Sequence, residues 1–192
     1  EAHRAMLTRL LLSEHPVPCR REESTGDCQL EALGRRYDLV DTTVNGDPFR
    51  ATPTRPEDHS SAVIVVDHQA CILCDRCIRA CDDIQLNDVI GRTGKGAATR
   101  IAFDLDVPMG QSSCVACGEC EAACPTGALT QQTLTLPLLP LDQLDSVETV
   151  CPYCGVGCAV TVHTHEQTIV SCTGRDSPVN HRRLCVKGRY GW

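Results

Sequence analysis

Two stretches of this chain repeat one spacing. CILCDRCIRAC sets Cys71, Cys74, Cys77 and Cys81 at C-x2-C-x2-C-x3-C, and CVACGECEAAC sets Cys114, Cys117, Cys120 and Cys124 at the same intervals. Three closely spaced thiolates wrap one face of an iron–sulfur cubane. The fourth, a helical turn later, points away from that face and reaches the twin. The spacing therefore predicts two crossed [4Fe–4S] sites. One is held by Cys71, Cys74, Cys77 and Cys124, the other by Cys114, Cys117, Cys120 and Cys81. Zinc is the competing reading, but zinc sites usually pair two CxxC units across a longer loop. Pro125 follows the second run and helps to end its ligand helix, whereas Asp82 follows the first.

Little else is available to organise a fold. Aromatic residues are 3% of 192, while cysteines number 15. An odd count, with twelve cysteines in tight groups, suits metal ligation better than a framework of disulfides. Free thiolates imply a reducing compartment, the cytoplasm. A net charge of −7 argues against a nucleic-acid partner. No apolar run reaches the roughly 18 residues of a membrane span.

The expected class is α+β, built of small modules organised by clusters: a helical His/Cys segment at 1–40, a bacterial two-[4Fe–4S] ferredoxin-like domain at 61–135 and a small β-rich [4Fe–4S] segment at 147–192. Polar, Pro-rich stretches at 41–60 and 136–146 read as linkers. Met6, Leu7, Leu10 and Leu11 recur at helical spacing within 1–14, and Leu30, Leu33 and Tyr37 do so within 29–38. AVIVV at 62–66 and TRIAFDL at 99–105 read as strands, GRTGKGAA at 91–98 as a loop, and AVTVHTHEQTIVS at 159–171 as a hairpin turning near Glu166.

CPYCGVGC supplies Cys151, Cys154 and Cys158, and Cys185 follows in LCVKGR. Four thiolates again suffice for a cubane, and Gly155 and Gly157 allow the loop to wrap closely. A zinc knuckle is the alternative. With the tail PVNHRRLCVKGRYGW, this stretch resembles the amino-terminal iron–sulfur segment of the molybdopterin oxidoreductases. The resemblance implies a third [4Fe–4S] cluster on Cys151, Cys154, Cys158 and Cys185. It also implies an electron-relay role for Lys187, between cluster and pterin, and molybdopterin domains downstream. The sequence therefore reads as a piece of a longer protein, cut before the catalytic domains.

EHPVPCRREESTGDCQLEALGRRYDL resembles a segment that binds a [4Fe–4S] cluster through one His and three Cys at H-x3-C-x2-C-x5-C. Such segments occur in the large iron–sulfur subunit of respiratory complex I, in iron-only hydrogenases and in NAD-dependent formate dehydrogenases. His15, Cys19 and Cys28 match, but the middle position is Glu22. A carboxylate substitutes poorly for thiolate on iron. A vestigial helical hairpin, whose His and Cys merely pack, is the favoured expectation. Cys172 fits no motif.

The order of segments is similar to that in the alpha subunit of NAD-linked formate dehydrogenases. That resemblance implies a molybdenum or tungsten bis(pterin) in the downstream domains and a flavin/NAD-reducing iron–sulfur subunit as electron acceptor. It assigns this stretch the relay between them and no catalytic residue of its own. The alternative is a free-standing polyferredoxin that carries electrons and catalyses nothing.

Overall fold

The computed structural model describes residues 1–40, 55–132 and 139–192. Helix α1 (Ala2–Leu12) turns through His15 into α2 (Arg20–Ser24) and then α3 (Gln29–Arg36). Cys28 caps α3 in extended conformation, Glu31 lies in its first turn, and Arg35 and Arg36 lie in its last, the charge order that complements a helix dipole. Both anticipated helices form. On α1, however, Thr8 and Leu12 are the buried residues, while Met6, Leu7, Leu10 and Leu11 face outward. Thr8 and Leu12 are four apart and share one face, the face turned inward.

The next region is closed by a pair of antiparallel strands from its two ends. Strand β1 (Ile64–Val66) pairs with β4 (Leu129–Gln131) in the register Ile64↔Gln131, Val65↔Thr130, Val66↔Leu129. All three β1 side chains are fully enclosed. Burying each contributes about 1.5–3 kcal/mol. Between these strands lie both cysteine runs and a hairpin of β2 (Ile90–Thr93) and β3 (Arg100–Phe103), with Ile90 opposite Phe103. The expected loop at 91–98 is thus partly strand, because Gly91–Thr93 pair with Arg100–Ala102.

The first run ends in α4 (Arg76–Arg79), which widens into a π-helical turn over Ala80–Ile84. The second ends in α5 (Glu119–Ala123), which stops at Cys124. Proline disfavours helical backbone in the residue before it, and Cys124 accordingly turns to an extended conformation.

The third region is a meander of β5 (Asp145–Val150), β6 (Ala159–His165) and β7 (Thr168–Gly174), followed by α6 (Val186–Tyr190). The hairpin turns through Glu166 and Gln167, both at positive φ (45° and 67°). The two-residue turn matches the strands' twist in that conformation. Strand β5 was not anticipated. All six of its residues are exposed, so it carries no apolar alternation to read.

Among the described residues, the buried apolar side chains fall into two clusters. Leu12, Cys19, Cys28 and Leu30 pack in one core with Ile64, Val66, Phe103 and Leu129, while Cys151, Val160, Cys172 and Leu184 form a second. Among the described residues, the helical segment therefore packs as a layer on the two-run domain and shares its core. Of the stretch read as a first linker, 41–54 lies outside the described residues. Asp58 bridges to Val66, and its carboxylate accepts the Met109 N–H at 2.7 Å. Ordered contacts with the two-run domain thus begin before Ser61. Of the second, 136–138 lies outside the described residues, as do 133–135 of the two-run domain; Leu141–Gln143 form a 3-10 turn, and Asp145 and Ser146 already belong to β5.

Candidate metal centres

The two cysteine loops share an unusual backbone. Leu73 and Asp75 in the first, and Ala116 and Gly118 in the second, take left-handed conformations at matching positions on either side of the middle cysteine (φ 54°, 61°, 53° and 79°). Three of the four carry side chains, at a cost of about 1–3 kcal/mol each. Alternating hand turns successive N–H groups toward one concave side, as loops that cradle an anionic group require. The Ala116 N–H points to Cys114 Sγ at 3.4 Å.

One cavity is lined by Cys71, Cys74, Cys77 and, from the other run, Cys124, with Ile72, Ile101 and Leu129. Burial pushes the Cys71 thiol up to about 11 and Cys77 up to about 12, and neighbouring Cys124 adds to both. On the other side, burial raises Cys114, with a further push from Cys81 across the runs. Burial likewise raises Cys120, flanked by Cys114, Cys117 and Cys77. Thiols crowded this way stay protonated without a metal and release protons when one binds. Every described cysteine is a free thiol. The donor sets and the matching loop backbones fit a cubane at each site, and around the first set the walls are mainly apolar.

The third set differs. Cys151, Cys154 and Cys158 lie on the loop between β5 and β6 and Cys185 precedes α6; burial, and then Cys151, Cys154 and Cys185, raise the Cys158 thiol. Cys154 and Cys185 are exposed all the same. Gly157 is left-handed (φ 72°), and Cys151 N–H donates to the Cys158 carbonyl at 2.8 Å, closing the loop. Asn180 fixes the return segment. Its buried amide accepts from Ala159 N–H and donates to the Ala159, Arg175 and Arg183 carbonyls. Lys187 is exposed on α6, two residues beyond Cys185. Cys172 is buried on β7 near Cys151, and burial pushes its thiol up to about 11.

A contact that sequence reading missed joins the second and third sets. Glu119, between Cys117 and Cys120, pairs with Arg189 of α6 at 2.7 Å, both side chains under a tenth exposed. The same Glu119 oxygen accepts Leu184 N–H at 3.2 Å, one residue before Cys185, and Arg189 Nε donates to the Cys117 carbonyl at 3.1 Å. The pair spans 70 residues, so no local pattern signals it.

His15, Cys19 and Cys28 come together as well, all buried. The residue that completes the group is Glu31. Glu22, at the cysteine position of the motif, instead binds Arg35 at 2.6 Å and accepts Cys28 N–H. Burial lowers His15, but Cys19 and Glu31 outweigh it and hold the imidazole up near 9. Burial raises Glu31, and His15 and Cys19 N–H more than reverse that.

Known proteins divide the chain along the same lines. Residues 70–128 match the 4Fe-4S dicluster domain family and residues 144–192 the Molybdopterin oxidoreductase Fe4S4 domain family. A subunit of the NADH-quinone oxidoreductase of Rhizobium meliloti is 31% identical over 193 residues, covering 100% of this chain and 22% of that protein. A putative formate dehydrogenase of Staphylococcus aureus is 28% identical over 231 residues, covering 100% and 23%. The chain thus spans less than a quarter of these relatives. A chain of the NAD+-reducing [NiFe]-hydrogenase, in its H2-reduced crystal structure, superposes with a TM-score of 0.57 at 30% identity, over 71% of this chain and 57% of that one. Residues 70–128 are accordingly similar to the 4Fe-4S dicluster domains, and residues 144–192 to the molybdopterin oxidoreductase Fe4S4 domains.

Proposed function

We propose that the chain is the iron–sulfur relay of a cytoplasmic, molybdopterin-dependent oxidoreductase of the NAD-linked formate dehydrogenase kind. It would pass electrons between a Mo- or W-pterin site and a flavin/NAD-reducing partner subunit. Cys71, Cys74, Cys77 and Cys124 would hold one [4Fe–4S] cluster, Cys114, Cys117, Cys120 and Cys81 a second, and Cys151, Cys154, Cys158 and Cys185 a third. When bound, each cluster takes up and releases single electrons. The residues of the chain set the order. Glu119 and Arg189 lock the loop before Cys185 onto the second cysteine run, so the third set abuts the second. Cys124, reaching from the second run into the cavity of the first, keeps the first two sets adjacent. N–H groups aimed at the sulfurs, and burial, tune the potentials.

The observation that carries this reading is the Glu119–Arg189 joint, because it makes one series of three cysteine sets. Two further features support a pterin domain against the third set. Lys187 is exposed beside Cys185, and Tyr153, Val156 and Val186 are exposed around the loop. Among the described residues no helix is long and apolar enough to cross a membrane.

The test is formate-dependent NAD+ reduction by the protein purified with its native partners, read together with bleaching of the iron–sulfur absorption. Formate should bleach the clusters and yield NADH. Quinone-linked NADH oxidation without formate turnover would place the chain with the NADH-quinone oxidoreductase relative. Reduction only by added carriers would leave the free polyferredoxin.

A further inference from the structure

Four buried side chains around the first interhelical loop have no part in the relay. His15 follows α1, Cys19 precedes α2, Cys28 caps α3 and Glu31 sits in the first turn of α3. Their ligand atoms all lie within 4.8 Å of one another. His15 Nε2 is 3.6 Å from Glu31 Oε1 and 3.8 Å from Cys28 Sγ. The His15 and Glu31 side chains are 1% and 2% exposed, and Cys19 and Cys28 are 1% and 0%. His15 Nδ1, on the far side of the ring, has no protein partner among the described residues, so Nε2 is the nitrogen turned to the group.

Size selects the occupant. Zinc sits about 2.3 Å from sulfur and about 2.0–2.1 Å from nitrogen or oxygen, so the edges of its tetrahedron are about 3.3–3.8 Å. The two His15 separations lie at that scale, and the whole group needs to close by only about an ångström. A cubane interposes an iron ion before each thiolate and a sulfide edge between them, so its ligands stand farther apart. Among the described residues, the twelve cysteines of the three relay sets form no such compact group.

Chemistry points the same way. Two thiolates, an imidazole and a carboxylate suit Zn²⁺, which accepts Cys, His and Glu together, whereas a [4Fe–4S] cluster is poorly served by carboxylate. Four protein ligands with no solvent-facing position make a closed, structural site.

We infer that His15, Cys19, Cys28 and Glu31 form a mononuclear zinc site that staples the helical segment to the two-run domain. The staple reaches the first cubane set. Arg21, just past Cys19, donates to the Cys124 carbonyl at 2.9 Å, and Gln29 N–H, just past Cys28, donates to the Pro125 carbonyl at 2.9 Å. A side chain at Gly127 would touch Cys19 Sγ at 3.0 Å. Zinc has no redox chemistry, so this corner braces the Cys124 loop and carries no electrons.

The test uses the full chain purified anaerobically with its clusters in place. Metal and sulfide analysis, with zinc-edge X-ray absorption, should find one zinc per chain bound by two sulfurs and two nitrogen or oxygen atoms. The Glu31→Gln variant keeps an acceptor for Cys19 N–H and should hold zinc about tenfold or more weakly against a chelator. Glu22→Gln should leave the affinity unchanged. A fourth cluster's worth of iron and sulfide, absence of zinc, or a shell of four sulfurs overturns the site. So does zinc affinity that follows Glu22 rather than Glu31. Iron below three clusters with zinc at one would count against the relay and leave this site standing.

Discussion

The two cysteine loops have one backbone and two surroundings. In both, the residue after the middle cysteine is left-handed. In the first loop it is Asp75, whose carboxylate binds Arg92 of the neighbouring hairpin at 2.7 Å. In the second it is Gly118, packed beneath Arg189 and Tyr190 of α6. The fourth cysteines diverge too, one within a π-helical turn and the other stopped by Pro125. The shared features lie among the cysteines and the differing ones face the neighbours. The two loops thus share their backbone and cysteine spacing, while the outer side of each fits what it touches. The first loop meets its own hairpin and the second meets the segment that carries the third set.

The largest expected effect removes what the loops share. Anaerobic chelation of all iron should strip the fixed structure from residues 61–132, because strained loops and crowded thiols lose the group that offsets them. Amide exchange should then show β1 and β4 unprotected. The β5–β7 sheet, whose ladder extends from the Cys151–Cys158 loop out to Asp145↔Thr164, should keep more of its protection at that far end. Native protection at Ile64–Val66 in the iron-free chain would contradict this.

The next effect is the loss of one cluster. Cys124→Ala should damage the cluster of Cys71, Cys74 and Cys77 and spare that of Cys114, Cys117 and Cys120. Cys81→Ala should do the reverse, and neither should touch the third set. Paramagnetic resonance of the reduced variants reads this, with signals assigned from first-run and second-run mutants. If Cys124→Ala reproduces the loss of Cys114, the ligation is uncrossed.

Smaller again is the joint between loop and α6. Arg189→Leu leaves the buried Glu119 carboxylate without its cation, and breaking such a pair costs about 3–5 kcal/mol. The third set should drift from the second, seen as loss of magnetic coupling between their reduced clusters. Glu119→Gln with Arg189→Leu should recover part of the stability, since no charge is then stranded. A double variant no better than Arg189→Leu would deny the joint its electrostatic part.

What could be read from the sequence follows the range of each interaction. Ligand spacing within a run is local, so the paired cysteine runs, the strand at Ile64–Val66 and the turn at Glu166 were all legible. Glu31 was not. The motif directs attention to Glu22, and only the first turn of α3 swings Glu31 back beside His15. No local pattern marks Glu119 and Arg189, which lie 70 residues apart and meet only where α6 packs on the second loop. The outward-facing leucines of α1 show the converse. Helical spacing predicted the helix correctly, but Leu12 is the leucine that reaches the core.

The smallest expected effect separates the two reasons for a glycine at position 118. Positive φ is one reason, but Asp75 adopts the same hand with a side chain, so conformation alone does not require glycine. The other is space. A Cβ on Gly118 would run into the Arg189 side chain and the Tyr190 hydroxyl, whereas Asp75 lies toward Arg92. Gly118→Ala should therefore cost about 1–3 kcal/mol, part of it from the left-handed backbone and the rest from displacing α6. Its signature should appear at α6 and in the coupling between the second and third sets, while the spectrum of the second cluster stays near wild type. Asp75→Gly relieves the backbone and loses an exposed ion pair worth about 0–1 kcal/mol, so it should be close to neutral. Thermal unfolding of the two variants, with exchange measured at Val186–Tyr190, distinguishes the cases. Equal effects from Gly118→Ala and Asp75→Gly, or a Gly118→Ala protein with undisturbed α6, would mean that the glycine answers to its own loop and not to the neighbour.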